Sequence, residues 1–339
     1  MPSSVRRILT LAACFGFALM LSGASQAQFY THTNLVSNLT GKAKHMDTLL
    51  QNPWGLAYGP GAPFWISDEA SGYSTLYDGK GNLETLQVVI PTSSGSGTGS
   101  PTGIVYNGSS EFQIDTWTSA FLFATLDGTI SGWSHFEPNN ALIGVRHAGA
   151  VYTGLAITSR TSGNLLYAAD FANNDIDVYD GSFNLVNTFS DPAVPAGFST
   201  FGIQDIGGQL YVTYANTLGK TGGYIDLFQE DGTLIKHFAH GSPLNQAWGV
   251  ALAPSTFGPL SGTILVSNNT GSGTINGFNA KTGKFVASIR NSTGELIVIP
   301  GLWGIEFGGG TANNGATNEL FYTAGPSDTN GYFGVIDSH

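Results

Sequence analysis

The sequence predicts an all-β protein, specifically a six-bladed β-propeller built from four-stranded antiparallel blades. The composition favours strands, because only 10% of the 339 residues are charged and 47 are glycine, so helix formers are scarce and turn residues plentiful. Apolar runs of about five residues alternate with turns rich in Gly, Asn and Ser, as in antiparallel meanders. A short motif also recurs roughly every 50 residues, which is the period of propeller blades.

The recurring motif is an aromatic residue or Thr, then Gly, then an apolar residue, and each copy opens a blade. The six copies are Trp54-Gly55-Leu56, Thr102-Gly103-Ile104, Thr153-Gly154-Leu155, Phe201-Gly202-Ile203, Trp248-Gly249-Val250 and Trp303-Gly304-Ile305. One such sheet cannot bury both of its faces, so stacked neighbours must supply the missing burial. Six copies therefore predict six blades, beginning near residues 54, 102, 153, 201, 248 and 303, in a single domain over residues 28–339.

The first 27 residues have the pattern of a signal peptide. Arg6 and Arg7 form a basic start, Ile8 to Leu21 an apolar run, and Ala24 to Ala27 a small-residue cleavage site. We expect a periplasmic or extracellular protein that starts at Gln28. A lipoprotein cleavage box ending at the one cysteine, Cys14, is the alternative; either way the mature core has no disulfide to stabilise it.

The charge and the apolar runs limit the partners. The formal net charge is −11, which disfavours nucleic acid and anionic membranes because both need basic patches. Cations and neutral ligands remain compatible with it. No stretch after the signal peptide approaches the ~20 apolar residues of a transmembrane helix, and we expect a monomer.

The strands follow in order along the chain. Blade 1 is predicted to contain Trp54–Tyr58, Pro63–Ser67, Tyr73–Tyr77 and Leu83–Ile90; blade 2 contains Thr102–Tyr106, Ala120–Thr125, Gly128–Trp133 and Ile143–His147; blade 3 contains Thr153–Ile157, Leu165–Ala169, Asp175–Tyr179 and Leu185–Phe189. A loop of low complexity, Thr92 to Pro101, joins blades 1 and 2. An extra segment with no assigned role, Ser109 to Thr118, interrupts blade 2.

The second half repeats the pattern. Blade 4 is predicted to contain Phe201–Ile206, Gln209–Tyr214, Gly223–Phe228 and Thr233–Phe238; blade 5 contains Trp248–Leu252, Gly262–Ser267, Gly273–Phe278 and Lys284–Arg290, with a short strand at Leu296–Ile299; blade 6 contains Trp303–Phe307, Glu319–Thr323 and Tyr332–Asp337. Blade 6 lacks a fourth strand, and Phe29–Val36 lacks a partner. We predict that Phe29–Val36 completes blade 6, because this closure removes two exposed edges.

Several stretches resemble a family of exported bacterial proteins of uncharacterised function. They include NPWGLAY from Asn52, FATLDGTISGW from Phe123, IDVYDG from Ile176 and NQAWGVALAP from Asn245, and the resemblance covers roughly residues 29 to 337. The blade pattern is more distantly similar to NHL-repeat propellers and to the regucalcin, gluconolactonase and paraoxonase group. That resemblance implies a divalent cation near the channel axis, held by Glu, Asn and Asp, which polarises a lactone or ester carbonyl.

Polar residues follow the second strands of five blades. The antiparallel strand order places them at the opposite end of the channel from the acidic residues in the third-to-fourth strand turns. Asp68, Asp127, Asp170, Asn216, Asn268 and Asn269 would lie around the mouth of the channel, the face at which the inner strands begin. Oxygen ligands of this kind suit Ca²⁺ or Mg²⁺. Alternatively, they cap their loops by accepting backbone hydrogen bonds. The residues Asp78, Asp180 and Asp231 precede glycines in turns at the opposite face, where we expect them to form turns only.

Aromatic residues begin four of the six inner strands. Trp54, Phe201, Trp248 and Trp303 would surround the axis at the mouth. They could stack against a ligand, or they could pack as core.

The histidines form no local metal motif, since neither His-x-His nor HExxH occurs. His237 and His240 are expected to be ordinary polar residues at a blade edge, although a metal site assembled across blades remains open. No nucleophile elbow or phosphate loop occurs either. The leading hypothesis is an exported binding module for a small molecule, glycan or partner protein at the mouth. The alternative is a divalent-metal-dependent hydrolase or lyase with Asp68, Asp127, Asp170 and Asn268 as ligands.

Overall fold

The computed structural model describes residues 29–339, which form six sheets arranged in a ring, antiparallel except for one short parallel pair at the rim of the last blade. The predicted six-bladed β-propeller is confirmed. The innermost strand of each blade contacts the innermost strands of the two neighbouring blades, and these six strands enclose a central axis. The predicted signal peptide lies outside the described residues.

The strands keep the predicted order, from the axis outwards within each blade. The chain begins with β1 (Tyr30–Ser37) and β2 (His45–Met46), which belong to blade 6. Blade 1 contains β3 (Pro53–Ala57), β4 (Phe64–Asp68), β5 (Tyr73–Tyr77) and β6 (Val88–Val89). Blade 2 contains β7 (Pro101–Tyr106), a hairpin of β8 (Gln113–Ile114) and β9 (Trp117–Thr118), then β10 (Phe121–Thr125), β11 (Thr129–Trp133) and β12 (Leu142–Arg146). Blade 3 contains β13 (Tyr152–Thr158), β14 (Leu165–Asp170), β15 (Asp175–Asp180) and β16 (Leu185–Phe189).

The second half of the ring completes the circle. Blade 4 contains β17 (Phe198–Asp205), β18 (Gln209–Asn216), β19 (Gly223–Gln229) and β20 (Leu234–His240). Blade 5 contains β21 (Ala247–Leu252), the 3₁₀ turn η1 (Gly258–Leu260), β22 (Thr263–Asn268), β23 (Ile275–Asn279) and β24 (Phe285–Ser288). Blade 6 contains β25 (Leu302–Phe307), β26 (Leu320–Ser327) and β27 (Asn330–Ser338). None of the helical structure in residues 29–339 is long and apolar enough to cross a membrane.

The N-terminal strand closes the ring, as predicted. Strand β1 pairs antiparallel with β27, from Tyr30 opposite Ser338 to Ser37 opposite Tyr332. The buried Tyr30 hydroxyl also donates to the Phe257 carbonyl (2.9 Å) and accepts from the Leu260 amide (3.0 Å), both in blade 5. The first strand therefore joins the last blade to the blade before it.

Several predicted strands are shorter than the sequence indicated. The outer strand of blade 5, expected over Lys284–Arg290, is β24 at Phe285–Ser288. The outer strand of blade 1, expected over Leu83–Ile90, is reduced to β6, because Val89 bonds to Asn139 and Ala141 of blade 2 instead of continuing its own ladder. The short strand expected at Leu296–Ile299 is a single bridge between Arg290 and Leu296. These segments lie at the outer rim of their blades.

The acidic turns at the face opposite the mouth behave as predicted. Each carboxylate accepts the backbone amide two residues further on, from Lys80 to Asp78 (2.8 Å), from Ser182 to Asp180 (2.9 Å) and from Thr233 to Asp231 (2.9 Å). These bonds fix the third-to-fourth strand turns of three blades.

The motif glycines set the distance between neighbouring blades. A β-carbon on Gly55 would lie 2.6 Å from the Thr102 carbonyl oxygen of blade 2, and one on Gly202 would collide with the Trp248 carbonyl oxygen of blade 5. In both cases the obstacle is backbone, which cannot rotate away. The inner strands can therefore approach this closely only because these positions carry no side chain.

We expect Gly202→Ala to lower the free energy of unfolding by about 1–3 kcal/mol, because the added methyl group forces blades 4 and 5 apart. Urea unfolding followed by tryptophan fluorescence measures the change. Gly271→Ala is the matched control, since a β-carbon there meets nothing within 4 Å. Equal stability of the two variants would contradict this role for Gly202.

Candidate functional site

Four aromatic side chains meet on the axis at the mouth end. Trp54 and Trp303 stack with ring centroids 3.6 Å apart, and Trp248 lies edge-on to both at 6.2 and 5.8 Å. Phe201 lies 6.1 Å from Trp54. Because blades 1 and 4 are opposite each other in a ring of six, contact between their side chains closes the axis at this level.

The aromatic cluster is buried and partly hydrogen-bonded. The most exposed of the three tryptophans, Trp248, is only 9% exposed. The Trp248 indole donates to the Thr153 carbonyl (2.9 Å), and the Trp303 indole donates to the Asn52 amide oxygen (3.1 Å). The Trp54 indole N–H is buried without a partner among the described residues. These contacts support the packing role that the sequence left open, and ligand contact at the mouth stays a prediction.

Two of the predicted metal ligands are fully buried and hold their own loops. Asp68 accepts from the amide (3.1 Å) and the hydroxyl (2.8 Å) of Thr75, and desolvation raises its pKa well above the usual value. Asp170 accepts from the amides of Val151 and Ala172, each at 3.0 Å. Both carboxylates therefore have the capping role that was the alternative to metal binding.

Of the other four predicted ligands, Asp127, Asn216 and Asn268 accept nearby backbone amides through their side chains, whereas the bond of Asn269 is made by its main-chain amide. The hydrogen bonds run from the Ser93 amide to Asp127 (2.6 Å), from the Leu218 amide to Asn216 (2.8 Å), from the Asn245 amide to Asn268 (3.0 Å), and from the Asn269 amide to the Gln246 carbonyl (2.9 Å). Among the described His, Cys, Asp and Glu residues, neither Asp68 nor Asp127 shares a group of three possible ligand atoms with Asp170. Their assignment to one shared cation stays a prediction.

Asp170 does belong to a compact acidic cluster. One carboxylate oxygen each from Asp170, Asp175 and Asp177 lie within 4.8 Å of one another, a spacing at which they could bind a metal. Burial, with the charges of Asp177 and Asp170 adding to it, raises the pKa of Asp175 to about 6. The Asp175 Oδ1 atom is buried without a hydrogen-bond partner in the described region. This cluster therefore has one oxygen free for a ligand.

A small enclosed chamber lies directly below the aromatic cluster. Its volume is about 30 Å³, and its walls include motif glycines such as Gly103 and Gly249, with Trp248 at one end and Glu306 at the other. This volume has room for one or two water molecules. The axis is therefore closed at the mouth end and widens towards the opposite face.

A larger cavity opens at the face where the inner strands end. We call it the axial cavity; its volume is about 270 Å³ and its walls include Tyr58, Tyr106, Gln204, Asp205 and Glu306. These residues come from blades 1, 2, 4 and 6. Two carboxyl groups, an amide and two phenol rings thus converge on one space.

Glu306 is the most unusual group in the axial cavity. No hydrogen bond or ion pair to its carboxylate exists among residues 29–339, although the side chain is partly buried in β25. Desolvation by the surrounding strands raises its pKa to about 7. The Glu306 charge contributes, after burial, to raising the pKa of Tyr58 to about 12. An unpaired carboxylate held in this way is typical of a functional position.

Glu306 is not among the predicted site residues, but a comparison of the six repeats distinguishes it. The residues that follow the six motif triplets are Ala57, Val105, Ala156, Gln204, Ala251 and Glu306. Four copies carry an apolar residue at this position, and the two polar exceptions both line the axial cavity. A polar residue at a position that is apolar in most repeats therefore indicates Glu306 as a candidate site residue.

Fold and site together define a six-bladed β-propeller with a blocked mouth and an open axial cavity at the other end. The chain belongs to the same family as the uncharacterized proteins R648 and L690 of Acanthamoeba polyphaga mimivirus. R648 is 33% identical over 318 residues, covering 86% of this chain and 75% of R648; L690 is 31% identical, covering 80% and 77%. No protein-family profile matches the chain. These relatives are viral, so the bacterial and exported character of the resembled family stays a prediction.

Solved structures with this fold include two enzymes. A streptogramin B lyase superposes with a TM-score of 0.55 at 12% identity, covering 92% of this chain and 98% of the lyase. A gluconolactonase from Xanthomonas campestris gives a TM-score of 0.55 at 14% identity, covering 86% and 88%. At these identities the likeness shows a shared fold alone.

We expect Glu306→Gln to stabilise the protein above pH 7. Folded Glu306 keeps its proton to about pH 7, compared with an ordinary pKa of 4.5, so wild-type stability falls as the pH rises between these values. The loss is at most about 3 kcal/mol, and the variant lacks it. Urea unfolding at pH 4 and pH 8 measures the difference, with the exposed Glu84→Gln as control. A variant no more stable than wild type at pH 8 would show that Glu306 ionises freely.

Proposed function

We propose that this protein is a binding module for a small organic cation, held in the axial cavity by Glu306. The observation that carries the proposal is the Glu306 carboxylate, which lies inside the channel without a partner in the described structure. A partly buried carboxyl whose charged form is destabilised by desolvation gains most from a bound positive charge. The bound ligand then offsets the loss of folding stability that the ionised Glu306 carboxylate causes.

The rest of the axial cavity suits the same ligand. Asp205 adds a second carboxyl group, whose pKa is raised mainly by burial. The rings of Tyr58 and Tyr106 can lie against an ammonium group through cation–π interactions. The cavity volume of about 270 Å³ lies just below the range of about 300–1,000 Å³ for drug-sized ligands. A small amine or quaternary ammonium ion therefore fits better than an oligosaccharide.

The setting of the protein supports this choice. A formal net charge of −11 attracts cations over the whole surface. We also propose, from the predicted signal peptide, that the binding module acts in the periplasm or outside the cell. A glycan or partner protein at the mouth is the less favoured ligand, because the mouth tryptophans already pack against one another.

We expect the affinity for choline, whose charge does not titrate, to rise about tenfold between pH 6 and pH 8. The ionised fraction of a carboxyl with a pKa of about 7 rises from roughly one tenth to nine tenths over this interval. Isothermal titration calorimetry measures the affinity, first for choline and then for a panel of other amines.

The variants decide whether the effect belongs to this site. Glu306→Gln should weaken binding at pH 8 and abolish its pH dependence, whereas Glu84→Gln should change neither. The affinity for a neutral monosaccharide, measured in the same way, should not depend on pH. The proposal fails if no amine binds, or if Glu306→Gln leaves binding unchanged.

A second candidate function is a divalent-metal-dependent hydrolase or lyase centred on Asp170, Asp175 and Asp177. The specific observation in its favour is the free, buried Asp175 Oδ1 inside the acidic cluster. Oxygen ligands suit Ca²⁺ or Mg²⁺, and such an ion would polarise a carbonyl group of a substrate. His147, with Nδ1 2.8 Å from Asp177 Oδ2, holds that carboxylate in place. The lyase and the gluconolactonase that share the fold make this chemistry reasonable for the scaffold.

Elemental analysis of the full chain tests the second candidate. We expect one Ca²⁺ or Mg²⁺ per chain, a higher unfolding temperature when the ion is added back, and loss of both in Asp175→Asn. Asp78→Asn, in a turn at the opposite face, should keep the ion. Metal-free protein that also fails to respond to added Ca²⁺ or Mg²⁺ would eliminate this candidate.

A further inference from the structure

We propose a transition-metal site of the Zn²⁺ type at the edge of blade 4, formed by Asp191, Asp226 and His237. It is separate from the axial cavity and from the acidic cluster at Asp170. Asp191 lies in the connection from blade 3 to blade 4, Asp226 on β19 and His237 on β20. The site is thus assembled from three separate segments of the chain.

The three side chains already hold their ligand atoms at metal-binding distances. His237 Nδ1 lies 3.0 Å from Asp226 Oδ1 and 3.1 Å from Asp191 Oδ2, and the three ligand atoms lie within 4.8 Å of one another. Ligand atoms around tetrahedral zinc, at bond lengths of about 2.0–2.2 Å, are about 3.3–3.5 Å apart. An opening of a few tenths of an ångström would therefore admit the ion in place of the imidazole proton.

Buried oxygen atoms without partners point to a missing ligand. Asp226 is only 1% exposed, and its Oδ2 atom, Asp191 Oδ2 and the Tyr214 hydroxyl all lack hydrogen bonds within residues 29–339. Asp191 Oδ2 lies 3.1 Å from His237 Nδ1, but the angle between the two groups does not meet the geometry of a hydrogen bond. Each unsatisfied buried group destabilises the folded state. A cation bound among these oxygens would remove that cost.

The backbone explains why these groups face one another. Asp226 and His237 are directly opposite across β19 and β20, and a bulge next to Asp226 shifts the register there. Tyr214 on β18 is opposite Tyr224, two positions from Asp226, so its ring lies on the same face of the blade. The Ala193 amide donates to Asp191 Oδ1 (2.9 Å), which leaves Oδ2 directed at the site.

The donor set favours zinc over calcium or magnesium. An imidazole nitrogen is a poor ligand for hard cations but a common ligand for Zn²⁺, with carboxylates completing the set. The His237 side chain is 53% exposed, so an ion can enter from solvent. Three protein ligands leave a fourth position for water or for the Tyr214 hydroxyl.

Isothermal titration of the full chain with ZnCl₂, after removal of metal with EDTA, tests the site. We expect one Zn²⁺ per chain, a raised unfolding temperature, and little or no binding of CaCl₂ or MgCl₂ to these residues. His237→Ala and Asp226→Asn should each weaken Zn²⁺ binding by about 100-fold or more.

The controls separate this site from its surroundings. His240→Ala removes the other histidine of the same strand, and Asp175→Asn alters the separate acidic cluster; both should keep full Zn²⁺ affinity. Circular dichroism checks that each variant is folded, because His237→Ala leaves the buried Asp226 Oδ1 without its imidazole partner. The inference is overturned if wild type takes up no Zn²⁺, or if His237→Ala and Asp226→Asn bind it as tightly as wild type.

Discussion

The close approach of the six inner strands is the constraint on which the rest of the structure depends. At this radius the backbone of one blade meets the backbone of the next, and a methyl group on Gly202 would already collide with the Trp248 carbonyl. The ring is consequently narrow at the level of these glycines, where the enclosed space is only about 30 Å³. Four aromatic rings are enough to fill one end, and Glu306, which has no partner within residues 29–339, lines the cavity at the other.

The near-symmetry of the ring makes its exceptions informative. A position repeated six times has a structural role in most copies, as the apolar Ala57, Ala156 and Ala251 do. Gln204 and Glu306 depart from that rule and face the same cavity. A similar contrast occurs on the third strands, where Thr75 and Ser131 of blades 1 and 2 are replaced by Asp177 and Asp226 in blades 3 and 4. Function in such a scaffold is introduced by changing single copies while the repeat maintains the fold.

The sequence was sufficient to predict the propeller architecture, because the architecture follows from a short motif that recurs along the chain and from one strand missing at its end. The glycine motif gave the number of blades, and the missing strand of blade 6 matched the unpaired Phe29–Val36 segment. The acidic turn at Asp180 was also predictable, since its bonds involve residues two and four positions away. In all these cases the deciding interactions are either close in sequence or repeated.

The sites were harder to predict because they depend on side-chain direction and on distant segments. Trp54 and Trp303 were expected on the axis, but only the structure shows them stacked across the opening. The ligands at Asp191, Asp226 and His237 meet through a bulge and a connection between blades. No spacing rule in a single sequence encodes either feature.

The pairing of β1 with β27 has a consequence for how the protein is made. Tyr30 finds its partner Ser338 only after almost the entire chain has emerged, so the ring stays open during synthesis with two unsatisfied strand edges. Contacts this distant in sequence form slowly, and open edges invite association with other chains. The topology therefore predicts a slow last step of ring closure from an open-ring intermediate that is prone to associate with other chains.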